Sequence, residues 1–382
     1  MIPPRPPKIP LARHMLLHKK GRFLLSVAGV SFAVMVMFME IGFLSGFKDG
    51  QKNLLIHLNG DLVIINKDRE TLVAFEKTIT LARLNQAREF PEVREVVPLY
   101  EAYVSIKNPQ SGNLRRVNLL AYPAASAAVA IPGLTGGAAA LRRTDMFLWD
   151  ERSRPVFGDL HAGSVVEIAG RRLRLAGTFA LGANFMRDGC IVLGDAAWFA
   201  LGGNPDKVSI GLIRVQPGAS LAALQAKLRA SMGADFEVFN HDALSAREDD
   251  YIVRETPVGV IFGSGLVIGF VIGVVICYQT LYNEVLDHLP QYATIRAMGF
   301  ADRYLRGIVL REAVYLGIIG FLPGVAMSFL LYAYLSVGSG LAMVLTPGRI
   351  ALVFSDDSHV LCSRPAFAAQ GAAGGPGGGL LK

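Results

Sequence analysis

A chain of 382 residues has room for one or two domains, but 52% hydrophobic residues, 18% charged residues and a mean hydropathy of +0.39 exclude a single soluble globule. That balance implies membrane spans joined to a substantial soluble part. The formal net charge of +7 sits largely at the two ends and in arginine-rich patches without interleaved aromatics, which points to anionic lipid and not to nucleic acid.

Residues 1–22 read as a cytoplasmic leader: a proline-rich start, MIPPRPPKIP, then LARHMLLHKKGR, whose mixed Leu, Met, His, Lys and Arg suit a helix lying among headgroups. The apolar run Phe23–Phe47 is long enough for a first span and too long for a signal peptide. Arg13, Lys19, Lys20 and Arg22 place its N-terminal side in the cytoplasm. Glu40, inside that run, is either a neighbour of the outer interface or a working group.

Residues 48–256 then form a folded domain outside the membrane. DLVIINK reads as a strand, LARLNQAREF as a helix, and VVPLYEAYVSIKN with RRVNLLAYP as a hairpin around PQSG. A second set follows: VSIGLIRVQP as strand, SLAALQAKLRASMG as helix and DFEVFN as strand. Two strand-helix-strand sets separated by an insertion predict a split, ferredoxin-like α+β sandwich. The insertion, about 133–203, is predicted as a small all-β subdomain with strands at PVFGDL, SVVEIAG, RRLRLAGTFA and GCIVLGD. The acidic cluster Glu248, Asp249 and Asp250 is expected on a solvated helix face. Cys190, Cys277 and Cys362 lie far apart, with no CxxC and no histidine at metal-ligand spacing, and read as unpaired structural residues.

A second span is predicted over Pro257–Tyr282, with Gly265, Gly269 and Gly273 at four-residue spacing. A third is predicted over Ala313–Val337, with Gly320, Gly324 and Ser328 repeating the device and Pro323 as a kink. These small faces suit close helix packing, within one subunit or across a dimer. Between the spans lies the polar segment 283–312, read as a short hinge. Its centre predicts a helix with Tyr292, Ala293, Ile295, Ala297 and Met298 on one side, closed by Gly299, with Asp302 capping the next helix.

The wording of this segment carries a resemblance. QYATIRAMGF, between the second and third spans, resembles the EYATLKAIG type of motif in permeases of the FtsX/MacB superfamily of ABC transporters, and particularly the DevC branch; Gln291 stands where the family usually has Glu. The resemblance implies an α-helical membrane protein with a large extracytoplasmic α+β domain, a MacB-like porter part interrupted by a β-rich sabre-like part. It also implies that Gln291, Tyr292, Ala293, Thr294, Ile295, Arg296, Ala297, Met298, Gly299 and Phe300 form a coupling helix seated on a separate ABC ATPase, DevA-like, which would bind ATP and Mg. The further partners implied are a DevB-like periplasmic adaptor of the membrane fusion type, a TolC-like outer-membrane channel and a second copy of the chain, in the bacterial inner membrane. The cargo implied is glycolipid or another hydrophobic substrate. Within the superfamily, an FtsX-like signalling scaffold controlling a periplasmic hydrolase and a lipoprotein-releasing permease remain alternatives to the exporter.

The family pattern also has a fourth span. Residues 338–354 read as a periplasmic turn and its start, GRIALVF, after which residues 355–382 become a Gly- and Ala-rich tail that cannot span; a shifted reading frame or an added tail is expected there. No GxxxxGKS/T loop, GxSxG elbow or HExxH helix occurs, and His57, His161 and His241 stand apart, so a non-catalytic subunit is expected.

Overall fold

The computed structural model describes residues 20–339, apart from Phe75, Ala138, Phe185, Met232 and Ala234, and then residues 346–351 and Val353. The leader up to residue 19, Cys362 and the tail from residue 354 lie outside the described residues. The chain divides into two compact units at Ser45/Gly46 and Thr256/Pro257.

One unit is built from helices. Helix α1 (Lys20–Lys52) contributes most of its length to it. Three helices of the described residues are long and apolar enough to cross a membrane: Phe23–His57, Pro257–Asp287 and Arg303–Leu335. The last two runs belong to helices whose full extents, Pro257–Asp287 and Asp302–Ser339, exceed the spans predicted from hydropathy. The predicted hinge 283–312 is therefore mostly helix continuing from either side. Asp302 begins its helix and does not precede it as a cap, and Glu312 is fully buried. A helical turn at 347–351 follows, and Val353 is buried in the same core as Val30, Val34 and Phe38.

The small-residue faces find their partner in α1. A Cβ at Gly269 would lie 3.2 Å from Met37 Cγ, and one at Gly273 3.4 Å from Ala33 Cβ, while Gly265 backs onto the Glu40 carboxyl group. On the third span, a Cβ at Gly320 would lie 2.6 Å from Val30 Cγ1 and one at Gly324 2.8 Å from Val34 Cβ. Ser31 Oγ donates to Gly320 O at 2.8 Å, and the Tyr332 hydroxyl donates to Phe38 O. Both glycine stripes thus pack on α1 within the chain.

The other unit is β-rich. Strands β1 (Leu62–Asn66), β2 (Val93–Lys107), β8 (Ile210–Val215) and β9 (Phe236–Phe239) stand in the order β2-β8-β1-β9, all antiparallel. Helix α2 (Leu81–Gln86) connects β1 to β2, and α4 (Leu221–Ser231), which follows the short α3 (Asp195–Ala200) in the chain, connects β8 to β9. This is the split strand-helix-strand pair that the sequence predicts. Leu62, Ile64, Ile213 and Val238 face Leu84, Leu224 and Leu228 in one buried cluster.

β2 is long because it serves two sheets. Its first half pairs with β8, and Tyr100–Lys107 pairs with β3 (Leu114–Tyr122). β3 then pairs with β7 (Cys190–Gly194), β7 with β4 (Met146–Asp150), β4 with β6 (Arg171–Phe179), β6 with β5 (Val165–Ile168), and β5 returns to β2 at Ile106↔Ile168. The ring closes into a small six-stranded barrel filled by Phe147, Trp149, Leu173, Leu175 and Ile191. Two expectations need correction. PVFGDL is not a strand but holds a 3-10 turn at Pro155–Phe157, because Pro155 lacks an N–H for a ladder and Gly158 turns the chain at φ +83°. The insertion is also not a subdomain by itself, since a third of its barrel comes from β2 and β3.

Candidate functional site

Helix α7 (Leu289–Ala297) lies between the two long helices, labelled α6 (Pro257–Asp287) and α8 (Asp302–Ser339). Pro290 suits its first turn, where a missing N–H costs nothing. Its end is a Schellman closure: Gly299 takes φ +89°, Gly299 N donates to Arg296 O at 3.0 Å and Phe300 N to Ile295 O at 3.4 Å. Phe300 then stacks on Tyr304 with ring centroids 4.9 Å apart.

The expected single apolar side divides in two. Tyr292 is buried against Val285 and Ile308, with Tyr304, Leu305 and Val309 around them, and Ile295 is half-buried one turn on. Tyr292 therefore anchors α7 to its own chain. Gln291, Ala293, Thr294, Arg296, Ala297 and Met298 are exposed. Leu289, Ala293 and Ala297 recur at four-residue spacing and form one flank, which Met298, 57% exposed, extends. The reason is the 3.6-residue period: Tyr292 with Ile295, and Ala293 with Ala297, lie on different flanks of the helix.

In the β-rich unit, sequence reasoning missed a polar centre. The Arg69 side chain is fully enclosed and donates to Thr71 O at 3.2 Å, Ser209 O at 2.7 Å, Leu72 O and Glu101 Oε2. Helix α5 (His241–Arg254) joins this centre through Glu248, which accepts from Thr71 Oγ1 at 2.7 Å and from Leu72 N at 3.0 Å. Burial raises the Glu248 pKa, and these two donors oppose the shift. The acidic cluster is thus not one solvated face. Glu248 is enclosed, Asp249 meets Lys52 at 2.9 Å and Lys48 at 3.7 Å, and only Asp250 stays exposed, paired with Arg254. A signal was present: Leu244, Glu248 and Ile252 recur every four residues, which sets Glu248 on the buried stripe.

The remaining candidates stay separate. His57 Nδ1 is bonded to Asn53 O and His241 Nε2 to Gly60 O, each at 2.7 Å, while His161 is exposed. Cys190 and Cys277 are buried and not joined in a disulfide. Among the described residues no group of three or more His, Cys, Asp or Glu could hold a metal ion.

Comparison with known families gives two matches. The family model described as a MacB-like periplasmic core domain matches residues 23–231, over half of the chain, and the one described as an FtsX-like permease C-terminal region matches residues 263–355. Among solved structures, the periplasmic region of MacB from Actinobacillus actinomycetemcomitans is similar at 11% identity, covering 50% of this chain and 92% of that one, with a TM-score of 0.35. The extracellular domain of YknZ, a noncanonic ABC-type transporter from Gram-positive bacteria, is similar at 12% identity, covering 47% and 99%, with a TM-score of 0.34. No curated protein matches the chain.

Proposed function

The chain belongs to the membrane permeases of ABC systems that join a MacB-like periplasmic core domain to an FtsX-like permease C-terminal region, and on that premise we propose that it is the non-catalytic permease of a tripartite, DevC-like exporter. A separate ATPase, holding ATP and Mg, grips α7 in each of two copies of the chain at the inner membrane. Its closure tilts α6 and α8, and the MacB-like domain, a porter part with a sabre-like insertion, passes the motion to a periplasmic adaptor and a TolC-like outer-membrane channel. The cargo is glycolipid or another hydrophobic molecule. The helical turn at 347–351 and the buried Val353 support a fourth span starting there.

The observation that carries this reading is α7 itself, a short helix fixed to its own chain by Tyr292 and a Schellman closure while the Leu289–Ala293–Ala297–Met298 flank is left open. Met298→Asp or Leu289→Asp would put a charge into an apolar groove, at a cost on the order of several kcal/mol. Co-purification of the ATPase encoded with this gene should be lost while membrane insertion persists. An ATPase recovered at the unmodified ratio would remove α7 as the contact.

A further inference from the structure

A cavity inside the β-rich unit is walled by four polar side chains: Gln51 at the end of α1, Glu101 on β2, Asn118 on β3 and Arg187 in the loop between β6 and β7. Leu54 and Leu72 complete much of the wall. Each of the four polar residues is more than nine-tenths buried. The space admits the centre of a water molecule over about 10 Å³, which is roughly what one water needs.

The protein leaves the bonding of these groups unfinished. Gln51 Oε1 is enclosed and accepts no hydrogen bond from the described residues, a costly condition for a buried acceptor. Arg69 and Arg187 are the two buried arginines of the described residues; Arg69 is fully engaged, but no carboxylate of the described residues lies within ion-pair distance of Arg187. Asp150, a buried carboxylate whose charge reaches Arg187, is already taken by the N–H groups of Arg152, Leu181 and Gly182. Glu101 gives Oε2 to Arg69 and keeps Oε1, while Asn118 Oδ1 accepts from the Cys190 thiol at 3.7 Å and its amide keeps its donors. Two acceptors and two donors therefore line one small space.

That set decides the occupant. An anion would suit Arg187 and Asn118 but would meet the Glu101 carboxylate and Gln51 Oε1, and a metal cation would suit those acceptors but be repelled by Arg187. A water molecule donates twice and accepts twice, so it alone answers all four groups. We propose that this cavity is a binding site for one ordered water, which bridges the Arg187 guanidinium to the Glu101 carboxylate and ties Gln51 to the barrel. The site is built around it. Asn184 Oδ1 accepts from Arg187 N at 2.7 Å, and Asn184 Nδ2 donates to Gly50 O at 2.8 Å, so the loop that presents Arg187 also grips α1 beside Gln51. Arg69 is not part of the wall, and its own acceptors are unaffected.

The test is X-ray radiolytic labelling of the full chain in detergent, in which hydroxyl radicals formed from bound water oxidise the side chains that touch it, read by mass spectrometry. Leu54 and Leu72 are 3% and 4% exposed, and Leu58 and Leu134, which do not line the cavity, are both 5% exposed. Exposure alone would label the second pair at least as fast as the first; a bound water should label Leu54 and Leu72 about fivefold faster or more. Gln51→Met removes the enclosed acceptor and should bring Leu54 and Leu72 close to the rate of the other pair, and the comparison of pairs in the unmodified chain carries the test by itself where that variant does not fold. Replacing chloride by gluconate, or adding EDTA, should leave Tm unchanged within about 2 °C, because neither an anion nor a metal holds the site. Equal labelling of the two pairs in the unmodified chain, labelling indifferent to Gln51→Met in a folded variant, or a larger Tm shift on removing either ion would each overturn the proposal.

Discussion

Replacing Glu101 by Gln should cost the MacB-like domain about 3–5 kcal/mol, the usual penalty for breaking a buried ion pair. The guanidinium of Arg69 has three neutral acceptors, the carbonyls of Thr71, Ser209 and Leu72, and one charged acceptor, Glu101. Gln keeps the size of Glu and an acceptor oxygen, so the change removes charge and little packing. Arg69 cannot shed its proton in response, and its side chain is 0% exposed, so water cannot replace the lost carboxylate. Against a total stability of about 5–15 kcal/mol this is a large fraction. The double variant Arg69→Met/Glu101→Leu removes both charges but takes the Arg69 donor from the Ser209 and Leu72 carbonyls, at about 1–3 kcal/mol each, while Thr71 O keeps Ala74 N at 3.1 Å, so it should cost about as much as Glu101→Gln. Urea unfolding of residues 46–256, followed by circular dichroism, measures all three. Both hydrophobic clusters of this unit lie between Leu54 and Leu244, so the fragment should fold alone. A cost below about 1 kcal/mol for Glu101→Gln would mean that the pair is solvated, and the reasoning would fail.

Gly324→Leu should lower the thermal stability of the full chain in detergent by about 1–3 kcal/mol or more, since even a Cβ would meet Ser31 O at 2.9 Å; Gly307→Leu, facing open space, should not, and equal effects would refute the packing account. Because burial raises the Glu248 pKa above its ordinary 4.5, the stability tied to its protonation is fully present in acid and lost as pH rises through the raised value. Glu248→Gln should therefore be tolerated at pH 7 and should flatten the stability profile above pH 4.5, and an unchanged slope would count against it. A cysteine at Ser111 should react with an impermeant maleimide in cells with a permeable outer membrane, and one at Arg303 should not; the reverse pattern would invert the topology.

Local pattern made the regular elements legible, and non-local closure hid the rest. Period-two alternation marked β1, β2, β3, β8 and β9, and helical spacing marked α4 and the long apolar helices. MFLWD, now β4, offered too short an apolar run to be told from a loop, and PVFGDL imitated a strand until its proline and glycine were given weight. Nothing local in Val165–Ile168 indicates that it meets β2 at a single residue pair and so closes a barrel. The glycine stripes announced flat faces but not their partner, because a four-residue repeat describes one helix surface, and α1's own glycine repeat, Gly42, Gly46 and Gly50, lies beyond Val30, Ala33, Val34 and Met37, on which the stripes pack. Tyr292 gave no local sign of its burial, since packing against Val285 and Ile308 depends on how α6 and α8 approach α7.

Glu248 and Asp249 show how two consecutive residues divide one task. On a helix they point about 100° apart, so one reaches the Arg69–Leu72 loop while the other reaches Lys48 and Lys52 at the end of α1. α5 precedes the second span by two residues and α1 carries the first, so the two places where the chain leaves the MacB-like domain are tied to one another as well as to its core. Burial makes the ties unequal. Asp249 is 32% exposed at its side chain, and such ion pairs contribute about 0–1 kcal/mol, whereas the bonds to enclosed Glu248 cannot be exchanged for bonds to water. The tie to α1 is therefore the one that thermal motion can open and reclose, and the tie to the loop is the one that holds while it does.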